Sequence, residues 1–257
     1  MKNLSFLLGF LMLCFAELVF ANAEATTVNG TVSAQSGTTP ARAVRQGDIV
    51  RQGETVSTGA ASAAVLRFDD GQVVALGANS RMAITTYEYN PQSSTGSILL
   101  SLLDGGMRAV TGLIGRRSPS QVAYRAATAT IGIRGTDTSI FTSNGAAAAL
   151  MHEGQGTFTS SGRSANFSAG EGVDMASNGQ FQVGSISTVL SRLGQTPQGR
   201  QMLNANQSLN NVSPAVSDAV SRGPRETGPG PTGQIGPTPG PTGQVGGTGG
   251  GGTASPR

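Results

Sequence analysis

Residues Ala127 to Phe141 read ATATIGIRGTDTSIF, with two glycines flanking a single arginine inside a strand-like run. A phosphate-holding loop would need those glycines in a turn that opens a helix, because a helix N-terminus supplies the orphan N–H groups that hold an anion. The flanks exclude that reading, since strand-like sequence lies on both sides. Ala129, Ile131 and Ile133 share one face of a strand, and Thr128, Thr130, Gly132 and Arg134 share the other. The stretch is therefore a strand that bends, with Gly132 and Gly135 as bulge or close-approach positions. Arg134 is left either to lock the fold by pairing with a carboxylate or to meet a ligand.

The surrounding chain has the same grammar. Ser62–Phe68 (SAAVLRF) sets Ala64, Leu66 and Phe68 on one face and Val65 and Arg67 on the other, and Val74 and Leu76 stay in phase after Asp69-Asp70-Gly71. An Asp-Gly step between alternating runs signals a hairpin. Met82, Ile84 and Thr86 are expected on one face of the next strand. In Ser97–Leu103 (SILLSLL), Ile98, Leu100 and Leu102 oppose Leu99 and Leu103, so this strand reads as central or covered. Ala147–His152 reads as a strand, Gly154–Gly156 as a turn, and Ser161-Gly162 as the turn between two further strands. Many short strands with regular turn signals predict an all-β sandwich or a roll or solenoid-like domain.

Beyond Gly184 the period changes from two to 3.6. Ile186, Val189, Leu190 and Leu193 recur at helical spacing, Thr196 and Pro197 form an N-cap and first-turn pair, and a third helical run covers Pro214–Arg222. From Gly223 the chain is Gly-, Pro- and Thr-rich with a ten-residue repeat whose glycine phase slips between Pro239 and Gly240. That excludes collagen and predicts disorder. The predicted organisation is a leader over 1–23, a β domain over 24–183, short helices over 184–222 and a disordered tail over 223–257.

The leader rests on a positive start at Lys2, an apolar run, and small residues at Ala21 and Ala23 ahead of an expected cut before Glu24. Leu13 stands before Cys14 where a lipoprotein needs a small residue. Glu17 opposes retention of the segment as a membrane anchor. Cleavage predicts an exported chain, periplasmic or at the cell surface, with no later membrane span. It would contain no cysteine and no lysine, because Cys14 and Lys2 are the sole examples of each. Disulfides, thiolate catalysis and lysine Schiff bases are thereby excluded. One histidine, His152, cannot supply a His-based metal cluster. With 12% charged residues and a net charge of +3, the chain lacks the dense basic run that nucleic acid requires.

Chemistry-bearing candidates are few. His152-Glu153 invites an acid–base reading, yet no G-x-S-x-G nucleophile elbow accompanies it, and His152 is expected at an exposed strand end. Asp69-Asp70 with Asp137 lacks the D-x-D-x-D spacing of a calcium loop and reads first as a turn. Arg116-Arg117, expected in a Gly/Pro loop, and Arg134 are the candidate binding residues, since guanidinium groups make bidentate contacts to carboxylate or phosphate. No catalytic residue, metal site or cofactor is predicted.

Several segments, in order, resemble FecR-type periplasmic sensor domains. These are Arg45-Gln46-Gly47-Asp48, then Gly53-Glu54-Thr55-Val56-Ser57-Thr58-Gly59, SAAVLRF closing on Asp70-Gly71, Leu103–Gly112 with Gly105 and Arg108, and Gly132-Ile133-Arg134-Gly135-Thr136. The resemblance covers residues 42–150. It departs at Ala126-Ala127, where the family often has Thr-Pro. It implies an extracytoplasmic regulatory domain that relays receptor occupancy towards a cytoplasmic sigma factor. Only three residues precede the apolar segment, so this chain resembles a stand-alone exported member. The expected function is non-enzymatic binding of an envelope protein, in signalling. The alternative is a structural protein associated with the envelope or with an acidic surface polysaccharide.

Overall fold

The computed structural model describes residues 22–224. The expected leader, apart from Asn22 and Ala23, and the tail beyond Pro224 lie outside the described residues. Nine strands come first: β1 (Asn22–Asn29), β2 (Val32–Ser36), β3 (Arg42–Ala43), β4 (Ile49–Arg51), β5 (Glu54–Thr58), β6 (Ala63–Phe68), β7 (Val73–Leu76), β8 (Arg81–Asn90) and β9 (Thr95–Val110). After the short helix α1 (Leu113–Arg117) come β10 (Val122–Ala126), β11 (Ala129–Ser143), β12 (Ala146–Ser160), β13 (Arg163–Ser168), β14 (Glu171–Met175) and β15 (Phe181–Ser185). Helices α2 (Ile186–Leu193), α3 (Pro197–Asn211) and α4 (Ser213–Ser221) follow.

All fifteen strands join one mixed sheet, whose main path runs β15-β14-β12-β11-β10-β9-β7-β6-β1-β4. Pairing is antiparallel except between β9 and β10, which α1 connects in parallel. Ala64, Leu66 and Phe68 of β6, Val74 and Leu76 of β7, Ile98, Leu100 and Leu102 of β9, and Ala129, Ile131 and Ile133 of β11 enter one buried core, as their alternation predicts. That core draws on strands from β1 to β14, so the sheet folds over on itself as a roll.

A second core lies on the opposite face. Val65, Val73, Phe141, Ala148 and Leu150 pack there against Val189, Leu193, Met202, Leu209 and Val216 of the three helices. Ser185 caps α2 by accepting the Thr188 N–H at 3.2 Å, and Thr196 caps α3 by accepting the Gly199 N–H at 3.0 Å. Close docking of α3 depends on Gly77 and Gly106. A Cβ at either position would lie 3.0 Å from Ala205, meeting its carbonyl oxygen or its Cβ respectively.

Two expectations change and one is met in part. On β8 a register shift between Ile84 and Thr86 sends Tyr87, not Thr86, into the core, where its ring meets Phe68 edge-on at 4.9 Å. Strand β9 is central, bonded to β7, β8, β10 and β11, yet Leu103 is 50% exposed. The strand is thus central, as its two apolar faces predict, without cover over Leu103. Finally, Gly154–Gly156 is no turn, because β12 continues through it.

Candidate binding site

The bend sits in the β11–β12 pair. Arg134 lies opposite Gln155, Asp137 opposite Glu153 and Thr138 opposite Met151, so each strand carries one extra residue. Gly135 (φ +59°) lies in the β11 bulge with Gly154 (φ +80°) opposite it, the extra residue of β12 is His152, and a Cβ on Gly154 would sit 2.2 Å from the Gly135 carbonyl oxygen. Side chains are excluded there both by space and by backbone conformation. Gly135 is thus a bulge, as the sequence suggests. Gly132 is neither bulge nor close approach, since the nearest atom to a Cβ there would be the Thr157 carbonyl oxygen at 4.0 Å.

The bulge flips the strand's phase. Before it, Ile131 and Ile133 point into the roll core and Thr130, Gly132 and Arg134 point outward. After it, Ile140 points inward, while Phe141 faces outward beneath the helices. The outward face of the first half is polar and open. Ala123, Gly132, Thr157 and Asn166 form one register row across β10, β11, β12 and β13, and Arg134, Gln155 and Ser168 continue into the next. Small residues at 123 and 132 leave a groove of about 380 Å³, bordered by Ser120, Arg134, Gln155, Thr157 and Asn166. Thr157 donates to Asn166 Oδ1 at 2.9 Å along its floor.

The Arg134 side chain is exposed at this groove and makes no hydrogen bond or ion pair among the described residues. The fold-locking alternative for it is therefore removed; Arg108 has that role. Its Nε and Nη2 bind the two carboxylate oxygens of Asp137 at 2.8 and 2.6 Å, and its Nη1 donates to Ser213 Oγ at 3.0 Å. This contact holds the guanidinium pKa above its ordinary value and joins β9, β11 and the start of α4. Both motifs were visible in the sequence, but the partner of Arg108 lies three residues past Arg134, where the bulge puts it on the covered side.

Arg116 and Arg117 are not in a loop but in the last turn of α1, both exposed. Arg117 donates to the Ser93 carbonyl at 3.2 Å. Arg116 borders a separate cavity of about 60 Å³ beside Asp70 and Gly71. The structure does not bring this pair to the Arg134 groove, although Pro119 and Ser120, just beyond α1, line it.

His152 is exposed, and its Nε2 shares a 2.9 Å hydrogen bond with the buried Ser139 Oγ. Partial burial lowers its pKa. No carboxylate bonds the ring among the described residues, and both oxygens of nearby Asp137 are held by Arg108, so the third member of a nucleophilic triad is not in place.

The Asp69-Asp70-Gly71 hairpin turn forms, but it is buried, which the sequence did not signal. The Asp70 carboxylate accepts the N–H groups of Gln72 at 3.1 Å and Ile114 at 3.4 Å. Burial lifts its pKa to about 6. Tyr87 Oη accepts the Asp70 N–H at 3.1 Å, and Tyr124 Oη donates to Gln72 Oε1 at 3.1 Å. This polar knot ties the hairpin to β8, β10 and α1. The other motif residues also serve turns and strand ends. Gly47, Gly53, Gly71 and Gly105 occupy positive φ, and Asp48 accepts the Arg45 N–H at 2.8 Å. Thr58 accepts the Ser80 N–H at 2.9 Å, Gly59 N–H reaches the Thr31 carbonyl at 2.9 Å, and Thr136 N–H reaches Thr111 Oγ1 at 3.0 Å.

Residues 54–155 match the family model described as FecR protein. The stretch spans β5 to the Gly154 bulge and holds every motif above except the Arg45–Asp48 turn and Gly53. Two crystal structures from Parabacteroides distasonis ATCC 8503, both described as anti-sigma factors, are similar. One, at 15% identity and TM-score 0.42, covers 54% of this chain and 72% of its own. The other, at 14% identity and TM-score 0.42, covers 56% of this chain and 65% of its own. No curated protein matches the chain.

Proposed function

We propose that this protein, whose residues 54–155 match the FecR family model, is a non-enzymatic, exported sensor-type module that binds an envelope protein through the open face of β10–β13. The observation that carries the proposal is Arg134, exposed and without a side-chain partner among the described residues, beside a groove whose floor is cleared by Gly132. A free guanidinium at such a rim favours a carboxylate, which it can grip with two parallel hydrogen bonds. Among the described residues strand β13 pairs with β12 alone, so its outer edge offers backbone groups to a partner strand laid along the groove.

The test is capture from an envelope extract by immobilised wild type and by Arg134→Ala, with thermal midpoints measured in parallel. Capture should fall at least tenfold, as loss of a charge-assisted contact of about 1.5–3 kcal/mol implies, while the midpoint stays put. Equal capture by both proteins would count against the proposal. Sedimentation of the domain with purified wall or capsule, unaffected by Arg134→Ala, would favour the polysaccharide alternative.

A further inference from the structure

The strand β1 begins two residues before the expected leader cut. Ala23 is fully buried and pairs with Val50 of β4 and with Phe68 of β6. Asn22 lies opposite Arg51. Its backbone N–H donates to Asp69 Oδ2 at 2.7 Å, and the Asp69 N–H returns a 3.1 Å bond to the Asn22 carbonyl. Asp69 is only 6% exposed. A cut before Glu24 would remove a buried core residue and both bonds to Asp69. A second site lies two residues earlier. Val19-Phe20-Ala21 ends the apolar run with a compact aliphatic residue at −3 and alanine at −1.

We propose that the mature protein starts at Asn22, and that the α-ammonium so created docks on the Asp69 carboxylate. The reaction is hydrolysis of the Ala21–Asn22 peptide bond by a leader peptidase. Water supplies the hydroxyl that completes the leader's carboxylate, and the nitrogen left on Asn22 takes up protons to become an ammonium. The N–H already aimed at Asp69 Oδ2 then becomes a charged donor, and the hydrogen bond a charge-assisted pair. The hairpin turn between β6 and β7 is thereby tied to the first residue of the mature chain. This inference rests on the export reading, but not on the Arg134 groove.

The sequence makes the test unusually clean. Lys2 is the sole lysine, so once the leader is gone the α-amine is the only primary amine in the protein. The full chain is produced in a bacterium with its leader, recovered, and read by intact mass and N-terminal sequencing. Asn22 is the expected first residue. A start at Glu24 overturns the inference while leaving export standing, and an uncut chain overturns both. The recovered protein is then treated at neutral pH with an amine-reactive ester. One label per chain should enter, at least about tenfold more slowly in the native wild type than in urea, the factor that one unit of amine pKa represents. Asp69→Asn should recover most of the urea rate while remaining folded by circular dichroism. Native labelling as fast as in urea would overturn the docking of the ammonium, even with Asn22 as the first residue.

Discussion

The two halves of the β11–β12 hairpin share the same strands and the same inner core, yet their outer faces differ completely. Beyond the Gly135/Gly154 bulge the outer face is Phe141, Ala148 and Leu150, roofed by α2 and α3. Before it, the outer face is Thr130, Gly132, Arg134, Thr157 and Thr159, with a groove in place of a roof. Because side chains alternate with period two, one extra residue on each strand is enough to exchange which residues face out. The difference teaches that the G-x-R-G-T segment works as a divider. Its first glycine clears a floor, its arginine faces out, and its second glycine turns the remainder of the strand over to packing.

The strongest attempt to break this contrast acts on the divider. Gly154→Ala forces a Cβ against the Gly135 carbonyl and puts a side chain at φ +80°. The expected loss is about 3–5 kcal/mol, combining left-handed strain and overpacking, measured by urea denaturation; a loss below about 1 kcal/mol would show the bulge to be pliable. Next comes the roofed half. Leu150, 1% exposed, should cost about 2–4 kcal/mol on truncation to alanine, without weakening partner capture by the folded protein.

A comparable effect is expected from Asp70, buried far along the sequence from either half. Its folded-state pKa of about 6 exceeds the ordinary 3.8, so the folded protein holds the proton more tightly than the unfolded chain. This group's contribution to stability is therefore greatest below about pH 4. It declines as pH rises through the interval from about 4 to 6, by up to about 3 kcal/mol, and is level above that. Thermal midpoints of wild type and Asp70→Asn over pH 3.5–7 check this: the variant should gain on the wild type across that interval and hold its gain above it. A constant difference between the two would contradict the burial assigned to Asp70.

The smallest stability effect belongs to the open half. Gly132→Ala has room for its Cβ and should shift stability by no more than about 0.5 kcal/mol, while the methyl group shallows the groove and reduces capture. Unchanged capture would place the contact surface elsewhere on the face.

Much of the roll was legible in the sequence because alternation is a local signal. SAAVLRF, VVAL and the first half of β11 each point inward the residues that their period assigns, and the cap at Thr196 follows from local hydrogen bonding. What escaped depends on the partner strand. The shift that brings Tyr87 inward exists only in the pairing of β8 with β9, and Gly154–Gly156 resembles a turn until Gly135 is set opposite it. Asp70 reads as a solvent-facing turn residue because nothing local announces that Tyr87 and α1 will close over it. At the candidate site the residue Arg134 was legible, but its freedom was not. That freedom follows from Asp137 being placed on the covered side and taken by Arg108.

The most direct measurement pairs the two halves in one experiment. Arg134→Ala and Leu150→Ala are compared with wild type for both thermal midpoint and capture of the envelope partner, at a temperature where all three are folded. The account predicts that Arg134→Ala keeps its midpoint and loses capture, and that Leu150→Ala loses several degrees and keeps capture. Capture that falls in step with stability in both variants, or that survives in Arg134→Ala, would contradict it.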